Sequence, residues 1–493
     1  MALRLGGLFA VFCVLGAQFA TAQDGPPLPT TPQAWRAAAE QDVRAAYELL
    51  AANHPGMVDP ENPGFPDELA KARDAGLATA ARVQDAEGYR AAINQFSLTL
   101  QDGHAGASAQ VDAGRPREWP GFVPVWRGER MLVHTSTVGS IPRGAEVRGC
   151  DGAPMREVVL RTAFAFDGRP AEAGQWWELA RNAFVDFHDP FIARPQQCEF
   201  ALGEKVWTET LSWREEDDAF VPLRIASYNG KTLPIGLSEP AAGVFWIAMP
   251  TFAPDADGVK AYAQLNADLQ ARRKNIANAR AVVLDLRDNQ GGSGGWSWEV
   301  TVSLWGKKPV ETAMEAFFAE VQIVWRPTAG NEAYVRATVP KFEEGGQSDF
   351  AKEWRLLADQ MAAARGRGEP LLAQGGEEKN RKEPGKLVAS KFARPVYVIM
   401  PGQCASACLD AVDVFSRFPN TKLIGAPTSG DSKYLEVRRE MTPSGFTQVV
   451  IPNKMWVNRP RGHGQIYEPA ILVEDLDWST EAFLAVIEAD LAR

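Results

Sequence analysis

Four short, largely apolar runs in the second half of the chain constrain its fold more than any other feature. They cover residues 244–249, 281–286, 395–400 and 421–425. Apolar residues at helical spacing follow the first run over 258–279 and the third over 405–415. Runs of this kind are typical of strands buried on both faces, and strands that alternate with helices pair in parallel. The sequence therefore predicts an α/β core over residues 236–493.

Two further regions precede this core. Three segments with helical spacing predict a helical domain over residues 23–115, and strand-like alternation over 119–135 predicts a β-rich module over 116–235. A stretch rich in charge, glycine and proline predicts an inserted segment near 340–390. The apolar share of 45% can bury a large core, which excludes disordered and fibrous classes.

The first 22 residues predict export. Arg4 precedes a nearly all-apolar run over 5–19, and Ala20, Thr21 and Ala22 supply a small-x-small cleavage pattern. A membrane anchor is the alternative, but the run is shorter than the ~20 residues that a spanning helix needs. We therefore expect a signal peptide over 1–22 and a periplasmic or secreted protein without stable membrane insertion after cleavage.

Charge and cysteine content indicate which partners, disulfides and metal sites the chain can have. The chain has 52 Lys and Arg residues against 62 Asp and Glu residues, a formal charge of −10, which argues against a nucleic-acid partner. Four of the five cysteines follow the predicted signal peptide, and we favour a disulfide between Cys150 and Cys198. No Cys-x-x-Cys or His-Glu-x-x-His motif occurs, so we predict no metal site.

Two positions that follow predicted strands are suited to nucleophilic chemistry. Ser406 comes after the third strand at the start of a helix, where the hydroxyl would be exposed beside free backbone N–H groups. A serine at this position can equally be a helix N-cap. The turn that follows the second strand contains Gly291 and Gly292, whose N–H groups could donate to an oxyanion. A tight turn with a glycine requirement is the alternative there.

Serine attack also needs a general base, and histidine is the usual one. The chain has five histidines, and spacing alone does not choose among them. One of them, His104, follows Asp102 and Gly103 at the end of the predicted helical domain.

These motifs together resemble peptidase family S41, which contains C-terminal processing peptidases and tricorn-type proteases. The resemblance rests on three stretches: Asp102-Gly103-His104, Asp285-Leu286-Arg287-x-Asn289-x-Gly291-Gly292 and Ser406-Ala407-Cys408. It implies a crotonase-like (ClpP/crotonase) α/β core with an N-terminal helical region, and often a PDZ module. Residues 144–152 resemble part of such a module, so the β-rich region is expected to be PDZ-like. A polypeptide substrate and the absence of a cofactor are also implied.

The resemblance assigns roles residue by residue. Ser406 is the expected nucleophile, and His104 matches the base of the tricorn-type branch. The expected oxyanion donors are the N–H of Ala407 and that of Gly291 or Gly292. Glu468 is the best match for the acid that orients the histidine.

Two alternatives stay open at the site. The first is that Asp431, the second choice for the orienting acid, takes the place of Glu468. The second is a Ser–Lys dyad, which the processing peptidases use. Asp431 stands at the corresponding position of this chain, and Lys433 follows two residues later. The tricorn branch has a serine before the histidine, where this chain has Gly103.

The predicted function is an exported serine-type endopeptidase that hydrolyses peptide bonds through an acyl-enzyme on Ser406. Two other functions fit the same fold. One is a catalytically silent protein that binds ligands or peptides, and the other is a hydrolase of small esters.

Overall fold

The computed structural model of the protein describes residues 26–112, 114–218, 220–374 and 386–493. The predicted signal peptide over 1–22 lies outside the described residues, as does the part of the predicted insertion over 375–385. Within these ranges, no helix is long and apolar enough to cross a membrane.

Three helices form the N-terminal region. Pro32 stands in the first turn of the first helix, and the Thr31 side chain caps it by accepting a hydrogen bond from the Ala34 N–H at 3.2 Å. Asp85 caps the third helix through the Gly88 N–H at 2.8 Å. The helices are α1 (Pro32–Asn53), α2 (Phe65–Ala80) and α3 (Ala86–Leu100), with a 3₁₀ turn at Pro55–Val58.

The elements that lead into and form the middle region are β1 (Gly106–Ala109), β2 (Glu118–Trp119), β3 (Phe122–Arg127), β4 (Arg130–Ser136), β5 (Glu146–Cys150), β6 (Ala153–Pro154), α4 (Met155–Arg161), α5 (Ala173–Leu179), a 3₁₀ helix (Ala180–Phe184), β7 (Gln197–Leu202), β8 (Lys205–Thr210), β9 (Arg214–Glu215) and α6 (Phe220–Asn229). The region is built on an antiparallel sheet with the strand order β3-β4-β5-β7-β8, and β6 also pairs with β5. The predicted disulfide is confirmed, because Cys150 on β5 is bonded to its register partner Cys198 on β7.

The remaining elements belong to the predicted core. They are β10 (Gly236–Ala241), β11 (Val244–Ala248), α7 (Ala256–Ala271), α8 (Arg273–Ala277), β12 (Ala281–Asp285), α9 (Gly295–Trp305), α10 (Lys307–Phe317), β13 (Gln322–Trp325), α11 (Ala329–Glu344), α12 (Ser348–Gly366), β14 (Leu372–Ala373), β15 (Val396–Met400), α13 (Ala407–Phe415), β16 (Thr421–Gly425), β17 (Tyr434–Met441), β18 (Thr447–Val457), β19 (Ile471–Leu472) and α14 (Thr480–Leu491).

The four predicted strands pair in parallel, which confirms the α/β class. They form the centre of a six-stranded sheet in the order β10-β11-β12-β15-β16-β19, and only β10 runs antiparallel to its neighbour. Alternate residues of β11 face opposite sides. Phe245 and Ile247 pack with helices α7, α9 and α13, whereas Trp246 packs with the middle region and α14. Both faces of the sheet are therefore covered, as its apolar strands require.

A second sheet joins the two ends of the chain. Its order is β1-β18-β13-β14, with β17 also paired to β18. Gly106 of β1 pairs with Val450 of β18, and the N-terminal helices pack their apolar faces onto this sheet. The segment immediately before β1 is therefore fixed to the C-terminal part of the chain.

Part of the predicted charged insertion is helical. Helices α11 and α12 pack together around a small apolar cluster that includes Trp354, Met361 and Val335. Both helices keep their charged residues largely on the surface, and Arg365 of one pairs with Glu332 of the other at 2.7 Å. Amphipathic spacing within a charged stretch thus produces a helix pair rather than a loop.

Candidate active site

Ser406 lies at a sharp turn between a strand and a helix. The strand β15 ends at Met400 and helix α13 begins at Ala407, directly after the serine. Ser406 has φ 53° and ψ −127°, a backbone conformation that residues other than glycine seldom adopt. Its side chain is half-buried and forms no cap hydrogen bond. The geometry therefore presents the hydroxyl at the surface of the turn and does not match the N-cap alternative.

The glycine turn after β12 lies directly against Ser406. A Cβ atom at Gly291 would stand 2.8 Å from the Ala405 carbonyl oxygen and 3.0 Å from the Cβ atom of Ser406. At Gly292 such an atom would be 2.1 Å from the Phe252 carbonyl oxygen. Both glycines also have positive φ, at 107° and 128°. Only glycine lets the two turns approach this closely.

The two glycines differ in what their N–H groups do. The Gly291 N–H donates to Asn289 Oδ1 at 2.9 Å, which closes the turn. Among the residues that the structure describes, the N–H groups of Gly292 and Ala407 donate to no other group. The N–H groups left over for an anion at this turn are therefore those of Gly292 and Ala407.

The rest of the Asp-x-Arg-x-Asn motif holds the glycine turn in place. Arg287 is buried, pairs with Asp285 at 2.6 Å and donates to the Trp478 carbonyl oxygen at 2.7 Å. The Asn289 amide donates to the Met249 carbonyl oxygen at 2.8 Å, which ties the turn to the end of the neighbouring strand β11. A buried charge paired in this way fixes the geometry of the backbone around it.

His104 lies between α3 and β1, and its ring is oriented by the backbone. The backbone N–H of His104 donates to Asp102 Oδ1 at 2.8 Å. The ring atom Nδ1 is 2.7 Å from the carbonyl oxygen of Tyr434. A carbonyl oxygen only accepts hydrogen bonds, so the Nδ1 atom must carry the proton. In the neutral ring the Nε2 atom is then the unprotonated nitrogen, which is the form a general base requires.

Asp431 is the carboxylate beside this histidine. Its Oδ1 is 3.3 Å from His104 Nδ1, and its Oδ2 is 3.2 Å from Arg461 Nη1. Burial alone would raise the pKa of Asp431, but the charges of His104, Arg461 and Arg459 outweigh it and the net shift is downward. Asp431 therefore stays ionised and can stabilise a positive charge on the ring.

Arg461 anchors a wider buried network that sequence reasoning missed. It pairs with Asp410 at 2.8 Å and with Asp413 at 3.1 Å, both on helix α13, as well as with Asp431. The network thus connects the helix that begins after Ser406 to the acid beside His104. Arg461 lies 30 residues after Asp431, and no local pattern marks it as part of the site.

The other two candidates from the sequence lie elsewhere. Glu468 is exposed and forms no ion pair or hydrogen bond within the described ranges, so this geometry favours Asp431 as the acid beside the histidine. Lys433 is held by Asp59 at 2.8 Å and by Glu61 at 2.7 Å. The lysine is therefore engaged in ion pairs that a dyad base would have to give up.

The middle region contributes to the same neighbourhood. A Cβ atom at Gly103 would be 3.4 Å from the guanidinium of Arg169, which pairs with Glu172. Glu172 accepts a hydrogen bond from the Gly430 N–H at 2.6 Å. A guanidinium from the middle region thus lies beside Gly103, the residue before His104.

A disulfide brackets the candidate nucleophile. Cys404 and Cys408 are bonded to each other and fully buried, on either side of Ser406. Ser406 Oγ forms no hydrogen bond with His104 in the part of the chain that the structure describes. Such contacts are often long in unliganded enzymes and form only with substrate. Within the same residues, no cluster of histidine, cysteine and acidic side chains could hold a metal ion.

Comparison with known proteins found similarities in sequence and in fold. Residues 244–460 match the model of peptidase family S41. The crystal structure of mature CPAF superimposes with a TM-score of 0.61 at 14% identity, covering 92% of this chain and 96% of that one. The complex of mature CPAF with lactacystin gives 0.60 at 15% identity, covering 92% and 98%. No curated protein matches the chain in sequence.

Similarity at this level of identity shows the fold. The matched residues include Ser406, the glycine turn and Asp431, and the shared fold extends over nearly the whole chain. The crotonase-like α/β class predicted for the core is confirmed. Residues 244–460 are therefore similar to peptidase family S41, a family of serine-type hydrolases that act on polypeptides.

Proposed function

We propose that the protein is an exported serine-type endopeptidase that cleaves peptide bonds through an acyl-enzyme on Ser406. The observation that carries this proposal is the strained turn at Ser406. Its φ of 53° presents a hydroxyl without a cap hydrogen bond beside the Gly291–Gly292 turn. Strain of this kind is retained where the surrounding structure enforces it, and it is concentrated at functional sites.

The first half of the reaction forms the acyl-enzyme. The Ser406 oxygen attacks the carbonyl carbon of the scissile bond, and His104 Nε2 takes the hydroxyl proton. The negative charge that develops on the carbonyl oxygen accepts hydrogen bonds from the N–H groups of Gly292 and Ala407. When the tetrahedral intermediate collapses, the carbon–nitrogen bond breaks and the leaving amine takes the proton from His104.

The second half releases the acyl group. A water molecule attacks the ester carbon while His104 again accepts a proton, and the proton returns to the Ser406 oxygen as the ester bond breaks. Asp431 stabilises the imidazolium that forms in each half, and the Tyr434 carbonyl keeps the proton on Nδ1. Every step uses side chains and backbone groups of this chain.

Two observations support export as part of the proposal. The mature region contains two disulfides, Cys150–Cys198 and Cys404–Cys408, and disulfides persist mainly in oxidising compartments. The sequence before residue 23 has the pattern of a signal peptide. N-terminal sequencing of protein purified from cells should find Gln23 or a residue close to it, and retention of Met1 would contradict export.

A fluorophosphonate probe tests the activity directly. The wild-type protein should be labelled on Ser406 and should cleave an unstructured polypeptide such as reduced, alkylated casein, whereas Ser406→Ala should do neither. Ser416→Ala, at the other end of helix α13, is the matched control and should behave like wild type. Thermal unfolding of both variants should be close to wild type, because neither removes core packing.

The outcomes separate the three functions. Failure of the probe on the wild-type protein, with no cleavage of casein, would favour a silent binding protein. Labelling together with turnover of small esters, but no polypeptide cleavage under any condition, would favour an ester hydrolase.

A further inference from the structure

The disulfide between Cys404 and Cys408 closes the turn that carries Ser406. Both cysteines are completely buried in the apolar cluster that covers one face of the six-stranded sheet. Ala405 and Ser406, which lie between them, are half-buried. The bond therefore lies on the core side of the turn, and the candidate nucleophile lies on the accessible side.

The backbone at Ser406 has a conformation that its surroundings must enforce. The Cys408 N–H donates to the Ala405 carbonyl oxygen at 3.0 Å, so Ser406 is the first central residue of a β-turn. Its φ of 53° and ψ of −127° are close to those of a type II′ turn, in which glycine is favoured at this position. A serine keeps such a conformation only while the structure around it holds it there.

The same two torsion angles set both halves of the proposed chemistry. Rotation about φ of Ser406 changes the direction of the side chain that carries the hydroxyl. Rotation about ψ moves the planar peptide group that carries the Ala407 N–H, one of the two N–H groups left over for an anion. A turn that relaxed at Ser406 would therefore lose the nucleophile and an oxyanion donor together.

The length of chain that it closes argues for a local role of this disulfide. The entropic stabilisation that a disulfide gives to a fold grows with the length of the closed loop. Cys150 and Cys198 are separated by 48 residues, whereas Cys404 and Cys408 are separated by 4. The first bond is thus suited to stabilise the fold, and the second is suited to restrict a few torsion angles.

We propose that the Cys404–Cys408 disulfide holds Ser406 and the Ala407 N–H in their reactive arrangement, so that the peptidase becomes active only when this bond has formed. The two cysteines act through Ser406 and are positioning residues. The inference rests on the proposed function, because it names what controls that same site.

The bond forms by thiol–disulfide exchange with an external disulfide. The two cysteine thiols give up their protons and two electrons and join to each other, while the external disulfide takes up both and is released as two thiols. A chain kept in a reducing compartment is then a folded but nearly inactive peptidase.

A chain that contains this disulfide alone tests the inference. The sequence has five cysteines, so alanine at positions 13, 150 and 198 leaves Cys404 and Cys408 as the only pair. The full chain is synthesised in vitro twice, once under dithiothreitol and once under glutathione disulfide, and its thiol content is measured. The two forms have the same side chains and differ only in the bond. If this chain does not fold, the wild-type chain is treated in the same way, with each disulfide assigned by mass spectrometry.

The oxidised form should have a kcat for casein about 10- to 100-fold above that of the dithiol form, with KM within about threefold, because only the reactive turn changes. Fluorophosphonate labelling of the dithiol form should be slower by the same factor and should reach the same final extent. Equal rates in the two forms would overturn the inference, as would a lower final extent of labelling at an unchanged rate, which indicates partial unfolding.

The two disulfides are matched controls for each other, since all four cysteines are buried. Cys404→Ala combined with Cys408→Ala should lower kcat as much as reduction does. Cys150→Ala combined with Cys198→Ala should keep kcat within about twofold of wild type, although it should lower the unfolding temperature more, because it opens the longer loop. An equal loss of kcat in the two double variants would contradict the positioning role.

Hydrogen exchange separates failure of this inference from failure of the proposed function. The Asp410 N–H donates to the Ser406 carbonyl oxygen at 3.1 Å, so its exchange reports on the turn without any need for activity. The amides of Cys408 and Asp410 should exchange about tenfold faster in the dithiol form. This result in a protein that neither reacts with the probe nor cleaves casein would leave the hold of the disulfide on the turn standing and remove the peptidase. Equal exchange in the two forms would overturn the inference whether or not the protein is active.

Discussion

Two histidine–aspartate pairs lie near each other in this protein, and they differ in how accessible the histidine ring is. His54 Nε2 is 3.4 Å from Asp102 Oδ2, with side chains 0% and 2% exposed. His104 Nδ1 is 3.3 Å from Asp431 Oδ1, with side chains 18% and 5% exposed. Asp102 also accepts a hydrogen bond from the backbone N–H of His104. The buried pair therefore helps to hold the segment that contains the accessible histidine.

The two rings differ in which nitrogen is left available. His54 Nδ1 accepts the Gly56 N–H at 2.9 Å and its Nε2 faces Asp102, while the ring stacks on Phe65. His104 places Nδ1 against a carbonyl and a carboxylate and leaves Nε2 without a partner in the described structure. A neighbouring acid therefore does not by itself identify a general base. A candidate base is identified by an accessible ring nitrogen without a proton, with the proton held on the other ring nitrogen.

The largest expected effect is the loss of the accessible histidine. His104→Ala should lower kcat/KM for casein by about 10²- to 10⁴-fold, because proton transfer from the Ser406 hydroxyl loses its acceptor. Lys433→Ala should retain most activity, since its side chain is held by Asp59 and Glu61. Full activity in the histidine variant together with loss in the lysine variant would assign the base to Lys433.

The buried histidine should affect stability instead of rate. His54→Ala removes a fully buried ring that stacks on Phe65 and caps a 3₁₀ turn, so the free energy of unfolding should fall by about 2–4 kcal/mol. The kcat of the folded fraction should stay within a few-fold of wild type, measured at a temperature well below the transition. A kcat loss as large as that of His104→Ala would mean that the two pairs act as one unit.

A smaller effect distinguishes the two candidate acids. Asp431→Asn should lower kcat by about tenfold with little change in KM, because the imidazolium loses its carboxylate while the Tyr434 carbonyl still holds the ring. Glu468→Gln, on an exposed side chain, is the matched comparison and should stay close to wild type. The opposite ranking of the two variants would restore Glu468 as the orienting acid.

The smallest expected effect is a pH dependence of stability from buried histidines. Burial lowers the pKa of His54, and it lowers the pKa of His134 from 6.5 to about 4. Because the unfolded chain binds these protons more readily, each histidine costs stability as the pH falls below 6.5, down to its folded pKa. Between pH 7.5 and about pH 5.8 the unfolding free energy of His134→Gln should therefore fall by about 1 kcal/mol less than that of wild type. Parallel pH profiles for the two proteins would contradict this assignment.

Local sequence signals account for the parts of the structure that were predicted correctly. The parallel strands are recognisable because each is an apolar run in its own right, and the sequence favours Cys150–Cys198 because both cysteines lie in one region. The roles of Ser406 and His104 stay predictions until activity is measured, although the geometry of each is compatible with its role.

Other features have no local signal. The pairing of β1 with β18 joins distant parts of the chain, and the position of Asp431 beside His104 depends on that pairing and on β17. Such juxtapositions are set by tertiary packing, which propensity and periodicity do not encode.

The pairing of β1 with β18 also determines when a chain under synthesis can become active. His104 lies two residues before β1, whose partner strand spans Thr447–Val457. A nascent chain that ends before residue 447 already contains Ser406, but lacks the strand that anchors the histidine. Because synthesis proceeds from the N-terminus, the proposed peptidase stays inert until nearly all of its chain has been made.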